Sequence, residues 1–398
     1  MKKFLIILFI SFTTGVYAQG YDSLSNSARI SVLTSSPWDG QVFTVFGHSA
    51  MRIVDPEKGM DIIFNYGIFD FDAPNFIWRF ATGKKDYYVQ QADFGRYIVE
   101  YKLRGSDVYE QIINLTDDEK QKIWFYLLNN VKPENRVYRY NEIFNNCTTK
   151  LTEILEGNIN GELIYPPNNE PKTFRELLSE FTSVKPWLEF GINIIFGTNT
   201  DKTTTVREQM FLPLYQVKTF DHTLINRNGE TENLVLSKTK VISAPPHEIK
   251  EPSFWGSPLF AGILLLFITI IISMFDYKLK LFSRIFDFLL FFVTGLLGCV
   301  ILFLMCVDQP FSFPNLNILW LNPLALILSI ALLVRPSSKF TFYYQIVNGI
   351  IITLFLLTFY FLPQKIVLVF IPFIISIWLR TILSVFKNSP NLKFVTGK

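Results

Sequence analysis

Three cysteines occur in the 398 residues. Cys299 and Cys306 lie in a stretch dominated by Phe, Leu and Ile, whereas Cys147 stands alone in the more polar first part of the chain. If that part is exported, Cys147 has no partner within its own domain for a disulfide. The run Phe144-Asn145-Asn146-Cys147-Thr148-Thr149 precedes an amphipathic segment. Cys147 is therefore expected in the first turn of a helix, where unpaired backbone N–H groups and the helix dipole favour a thiolate. The same N–H groups, near Cys147 and Thr148, could hold an oxyanion. We read Cys147 as a nucleophile rather than a buried structural cysteine.

A thiol nucleophile needs a base, and the chain offers His48, His222 and His247. His247 falls in a proline-rich stretch. His48, in Phe46-Gly47-His48-Ser49-Ala50, enters an alternating strand, and Gly47 permits close approach of another backbone. A strand-borne His facing a Cys at a helix start is a recurrent arrangement in nucleophilic catalysis. His48 is thus the expected base, with His222 as the alternative. A third group should orient the imidazole or polarise the carbonyl. The candidates are Asn65 and Asn146, then Tyr138, Tyr140, Asn141, Arg52 and Asp61, and sequence does not rank them. Cys147 lacks neighbours at metal-ligand spacing and no His pair has helical spacing, so neither a metal nor another cofactor is implied.

These residues must be positioned by an α+β domain. Val42–Phe46, Ser49–Val54, Asp61–Ile68, Tyr87–Gln91 and Tyr97–Leu103 read as strands. Helices are expected from Thr116, with Glu119 completing a capping box, from about Cys147, and from Thr173 with Glu176. Asn228-Gly229 signals a hairpin turn.

Around this domain lies a membrane protein. Lys2-Lys3, the apolar Phe4–Phe12 and Val16-Tyr17-Ala18 form a signal peptide, residues 1–18. Residues 19–245 form the exported domain and 246–256 a linker. Residues 257–385 carry five apolar segments, near Ser257–Met274, Phe288–Val307, Ile318–Val334, Gln345–Leu362 and Ile366–Leu379. The last two could form a hairpin, leaving four spans. Lys278, Lys280, Arg284, Arg335, Lys339 and Arg380 gather on alternate sides, which places the 386–398 tail in the cytoplasm. The formal net charge of +3 says little about partners, and no long basic run exists, so a nucleic-acid role has no support.

The segments Phe46–Ile53, Phe64-Asn65-Tyr66-Gly67 and Asn145–Thr149 together resemble the Lnb family of Bacteroidota, with its N-terminal periplasmic domain. Arg104, Leu115-Thr116, Tyr138-Arg139-Tyr140 and Arg207–Pro213 are similar too, and so is the multi-helix tail. The resemblance implies a lipoprotein N-acyltransferase of the inner membrane. It would move an acyl chain from a phospholipid, through a Cys147 thioester, to the amine of a diacylglyceryl-cysteine lipoprotein. The order His then Asn-Cys also resembles the permuted papain-like arrangement of lecithin-retinol-acyltransferase-like enzymes, although Thr148-Thr149 replaces the Glu-His typical of that group. The competing expectations are a membrane-anchored cysteine peptidase or amidase, and a non-enzymatic envelope assembly factor.

Overall fold

The computed structural model describes residues 23–38, 40, 44–245, 251–276, 278, 280–336 and 338–388. The signal peptide, residues 246–250 of the expected linker (His247 among them) and nearly all of the expected tail lie outside the described residues.

Strands β1 (Arg29–Ser35), β2 (His48–Asp55), β3 (Met60–Ile68), β4 (Asp86–Asp93), β5 (Val108–Ile113), β6 (Val137–Arg139), β7 (Glu162–Ile164), β8 (Leu224–Arg227), β9 (Glu230–Asn233) and β10 (Val235–Ile242) belong to the first domain. They alternate with helices α1 (Phe76–Ala81), α2 (Phe94–Arg104), α3 (Asp117–Asn130), α4 (Cys147–Asn158), α5 (Phe174–Thr182), α6 (Pro186–Ile195), α7 (Val206–Gln209) and α8 (Pro213–Phe220). The main sheet is seven-stranded and antiparallel in the order β10-β5-β1-β2-β3-β4-β6. A second sheet joins β7, β8 and β9, and Asn228 and Gly229 take positive φ in the β8–β9 hairpin turn expected there.

Both faces of the central strands are covered, which explains their nearly continuous apolar sequence. Val32, Met51, Ile53, Phe64 and Tyr66 face Ile123, Trp124 and Leu127 of α3 and Leu151, Ile154 and Leu155 of α4. Leu33, Ala50, Ile63 and Val108 face Phe94, Tyr97 and Tyr101 of α2. Tyr97–Leu103, expected as a strand, is thus helical. Asp93 caps the helix by accepting from the Arg96 amide, and Phe94, Tyr97 and Tyr101 recur at helical spacing on its buried side. Gly105, at φ +67°, ends it. Val42–Phe46 is not a strand in its described part: residues 44–46 form a turn. The helices expected from Thr116 and Thr173 are present, each with a complete capping box.

Helices α9 (Pro258–Met274), α10 (Lys280–Cys306), α11 (Ala325–Val334), α12 (Lys339–Thr358) and α13 (Ile371–Asn388) form the second domain. Among the described residues, three stretches are long and apolar enough to cross a membrane: Ser283–Cys306, Lys339–Phe361 and Leu368–Lys387. The other two helices, α9 and α11, are apolar but shorter. Arg380 lies inside α13 rather than in a tail. It is 2% exposed and ties that helix to Asp287, Asp276, Ser273 and Ser283.

The two domains interlock. Ser35, His48, Ile68, Asp86, Val108, Arg139 and Ile242 share one end of the main sheet, and the segments leaving this end reach the second domain. The Gln309 side chain donates to the Phe80 carbonyl, and Phe144 stacks on Phe311 at 4.9 Å. Asn315 and Asn317 donate to the carbonyls of Ile194 and Asn193 at the end of α6. Phe311, from the loop after α10, is buried among Ile143, Phe174, Leu177 and Phe211 of the first domain.

Candidate active site

Cys147 opens α4, as its flanking sequence predicts, and is 8% exposed. Asn146 is the N-cap. Its Oδ1 accepts from the amides of Thr148 and Thr149, both at 2.9 Å, while its Nδ2 donates to the carbonyls of Glu142 and Phe211. The helix start is thus pinned to two other segments. This arrangement corrects one expectation: the Thr148 amide is already engaged and is not open to a substrate oxygen. The Cys147 amide has no acceptor among the described residues. Thr148 is fully buried and contributes its hydroxyl, 3.6 Å from Sγ.

His48 starts β2 and faces the thiol. Gly47 makes the entry possible: its φ is +83°, and a Cβ there would lie 2.5 Å from the Ser35 carbonyl oxygen. The imidazole Nε2 bonds Asn65 Oδ1 at 2.5 Å. An amide oxygen only accepts, so Nε2 carries the proton and Nδ1 is left as the ring's acceptor; the Cys147 thiolate is the ionisable neighbour that most favours the charged imidazole. Asn65 can reach because it lies on β3, next to β2, where Met51 pairs with Phe64. The β3–β4 ladder breaks its register between Asn65 and Ile68. Within this irregular stretch lies Gly67, at φ +88°. A Cβ on it would sit 3.8 Å from Cys147 Cβ and 3.6 Å from the Tyr140 ring.

Burial pushes the Cys147 thiol up, and the nearby His48 is the strongest influence in the other direction. The Ser49 amide and Thr148 hydroxyl add to this, and together they bring the thiol down to about 7. On His48, burial acts downward, yet the thiolate's charge and the hydrogen bonds to Cys147 and Asn65 leave the imidazole above its ordinary value despite opposition from Arg104. The pair can therefore exchange one proton close to neutral pH.

Other candidates separate cleanly. Tyr138 lies on β6 against Gly67. Its hydroxyl is buried and its proton has no acceptor, so it could donate to a group bound at Cys147. Tyr140 stacks on Tyr87 at 4.2 Å beside the thiol. Arg52 does not join the site. It lies four residues along β2, ~13 Å away, where it pairs with Asp61 and Glu110 above the Phe94 ring. Asp61 goes with it. Asn141 builds the turn before the helix by accepting from the Ile143 and Phe144 amides. His222 is in an exposed turn after α8 and is not among the groups acting on the thiol.

Sequence reasoning missed the Ser49 amide and Gly67. Gly67 had a readable signal, a lone glycine inside a strand pattern. No metal-binding group of His, Cys, Asp and Glu exists among the described residues.

Residues 20–180 match the family model of the Lnb N-terminal periplasmic domain, and residues 249–390 match that of the Lnb transmembrane domain. A periplasmic domain followed by a transmembrane domain makes this an inner-membrane protein. No curated protein and no solved structure matches the chain.

Proposed function

We propose, for a chain that belongs to the Lnb family, that it is a lipoprotein N-acyltransferase working through a thioester on Cys147. The observation that carries the reading is the Cys147–His48–Asn65 relay, set at the end of the sheet that meets the membrane domain. The order is that of a permuted papain-like site, with His and Asn strands preceding the helix that bears the Cys. All five apolar helices are read as spans, with the tail in the cytoplasm and the first domain in the periplasm.

Nδ1 of His48 takes the Sγ proton, and the thiolate attacks an ester carbonyl carbon of a phospholipid. The Cys147 amide and the Tyr138 hydroxyl donate to the oxyanion. The C–O bond breaks, and the imidazolium returns its proton to the leaving lysophospholipid. The α-amine of a diacylglyceryl-cysteine lipoprotein then attacks the thioester. The C–N bond forms, the C–S bond breaks, and His48 takes the amine proton. Asn65 holds the imidazole in the productive tautomer throughout. A peptidase or amidase would use the same relay with water as the acceptor, but it has no need of a thiol set against a membrane domain.

The test is intact-mass spectrometry of the full chain in phospholipid nanodiscs without acceptor. One hydroxylamine-sensitive acyl group should appear on the wild type and none on Cys147→Ala. An unmodified wild type that nonetheless alkylates at Cys147 would refute the proposal.

A further inference from the structure

The link between β3 and β4, residues 69–85, has an unusual surface. Phe71, Ile77 and Trp78 are 62%, 83% and 63% exposed, and Phe80 is 45% exposed. A water-facing six-residue helix gains nothing from such residues, and an apolar patch of this kind marks an interaction surface. Its position identifies what covers it. Trp78 packs on Phe303, near the end of α10, at 5.6 Å. Gly83 lies so close to the Asp308 backbone that a Cβ would meet its carbonyl oxygen at 1.9 Å. The helix α1 thus lies against a candidate span at the level where that span ends. Lys84 is exposed beside it, suited to the headgroup layer.

Behind this patch runs a row of rings. Phe71 and Phe76 contact Phe69 at 4.6 and 5.9 Å, Phe69 stacks on Tyr87 at 4.9 Å, and Tyr87 stacks on Tyr140 at 4.2 Å. Tyr140 borders the Gly67 backbone, whose missing side chain leaves open the space beside Cys147.

We infer that residues 69–85 sit in the outer leaflet of the bilayer and that the row Phe69–Tyr87–Tyr140 lines the path of the donor acyl chain to Cys147. The leaflet placement stands on geometry alone, whereas the acyl path rests on the acyl-transfer reading above.

The test uses the full chain in nanodiscs of phosphatidylethanolamine and phosphatidylglycerol, with the three cysteines replaced by serine and a spin label at Ile77→Cys. A matching label at Glu57→Cys, in the exposed turn at the opposite end of the sheet, is the control. Position 77 should relax preferentially with oxygen and position 57 with a water-soluble nickel chelate. Equal nickel access at both positions would overturn the leaflet placement, whatever the enzyme does. In protein with Cys147 intact, Ile77→Asp should slow thioester formation from bilayer phospholipid by about ten-fold and leave Cys147 alkylation unchanged. Equal thioester rates in variant and wild type would overturn the acyl path. Absence of thioester in the wild type would instead sink the acyl-transfer reading and leave the leaflet result standing.

Discussion

Replacing His48 by Gln should raise the Cys147 titration and slow its alkylation at neutral pH. In the wild type the thiol is held at about 7 against the upward push of burial, and His48 supplies the largest downward influence. An unperturbed thiol titrates near 8.5. Without the imidazole, Cys147 should rise at least that far, because the burial remains. At pH 7 the thiolate fraction then falls from about a half to about 3%, a loss of roughly fifteen-fold. The sign follows from the acid form: thiolate appears as pH rises through the thiol's value, so the two rate profiles should converge at high pH. The assay is the iodoacetamide rate at Cys147 from pH 5.5 to 10, in protein with Cys299 and Cys306 replaced by serine. The wild-type midpoint reports the coupled pair rather than either residue alone. A His48→Gln profile superimposing on the wild type would refute the reasoning, because the thiol would then owe its acidity to the helix start and the Ser49 amide.

Three other substitutions test the supporting parts. Asn65→Ala removes the acceptor from Nε2, and the acyl-transfer rate should drop about ten-fold, mainly in kcat, with Asn65→Asp restoring much of it. Gly47→Ala forces a Cβ to 2.5 Å from the Ser35 carbonyl at positive φ; thermal unfolding should show a loss of about 2 kcal/mol or more. Arg380→Met leaves Asp287 without its ion-pair partner, while Asp276 keeps Lys387, and should cost about 3–5 kcal/mol in detergent-based unfolding. Combining it with Asp287→Asn should recover part of that loss.

What the sequence made legible was local. The capping boxes at Thr116 and Thr173 and the helix start at Cys147 are set by residues within one turn of each other, and each is found as read. What it hid depends on distant partners. The strand β10 shows no apolar alternation because it is an exposed edge, defined only by its pairing with β5. Tyr97–Leu103 contains enough aromatic and β-branched residues to suggest a strand, and only the Asp93 cap and the Gly105 stop mark it as a helix. In the candidate site, residue type singled out Cys147 and His48 but left Asn65 unranked among seven possible third groups. Type alone also offered Arg52, because nothing local reveals that Glu110 and Asp61 bracket it on the folded sheet.

Phe311 carries a consequence for how this protein can be divided. It enters the chain within the membrane part, yet it completes a core built from Ile143, Phe174, Leu177 and Phe211. A cut in the proline-containing stretch between the domains would remove that ring from its socket and leave an unfilled apolar hole beside the loop that leads to Cys147. The two halves are therefore not modules. A chimera that grafts the membrane helices of a relative onto this periplasmic half should fold only if residues 308–317 are kept with their partners in α5 and α6. Selection should thus act on the two halves as one unit, because a change on either side of the shared core alters the fit of the other.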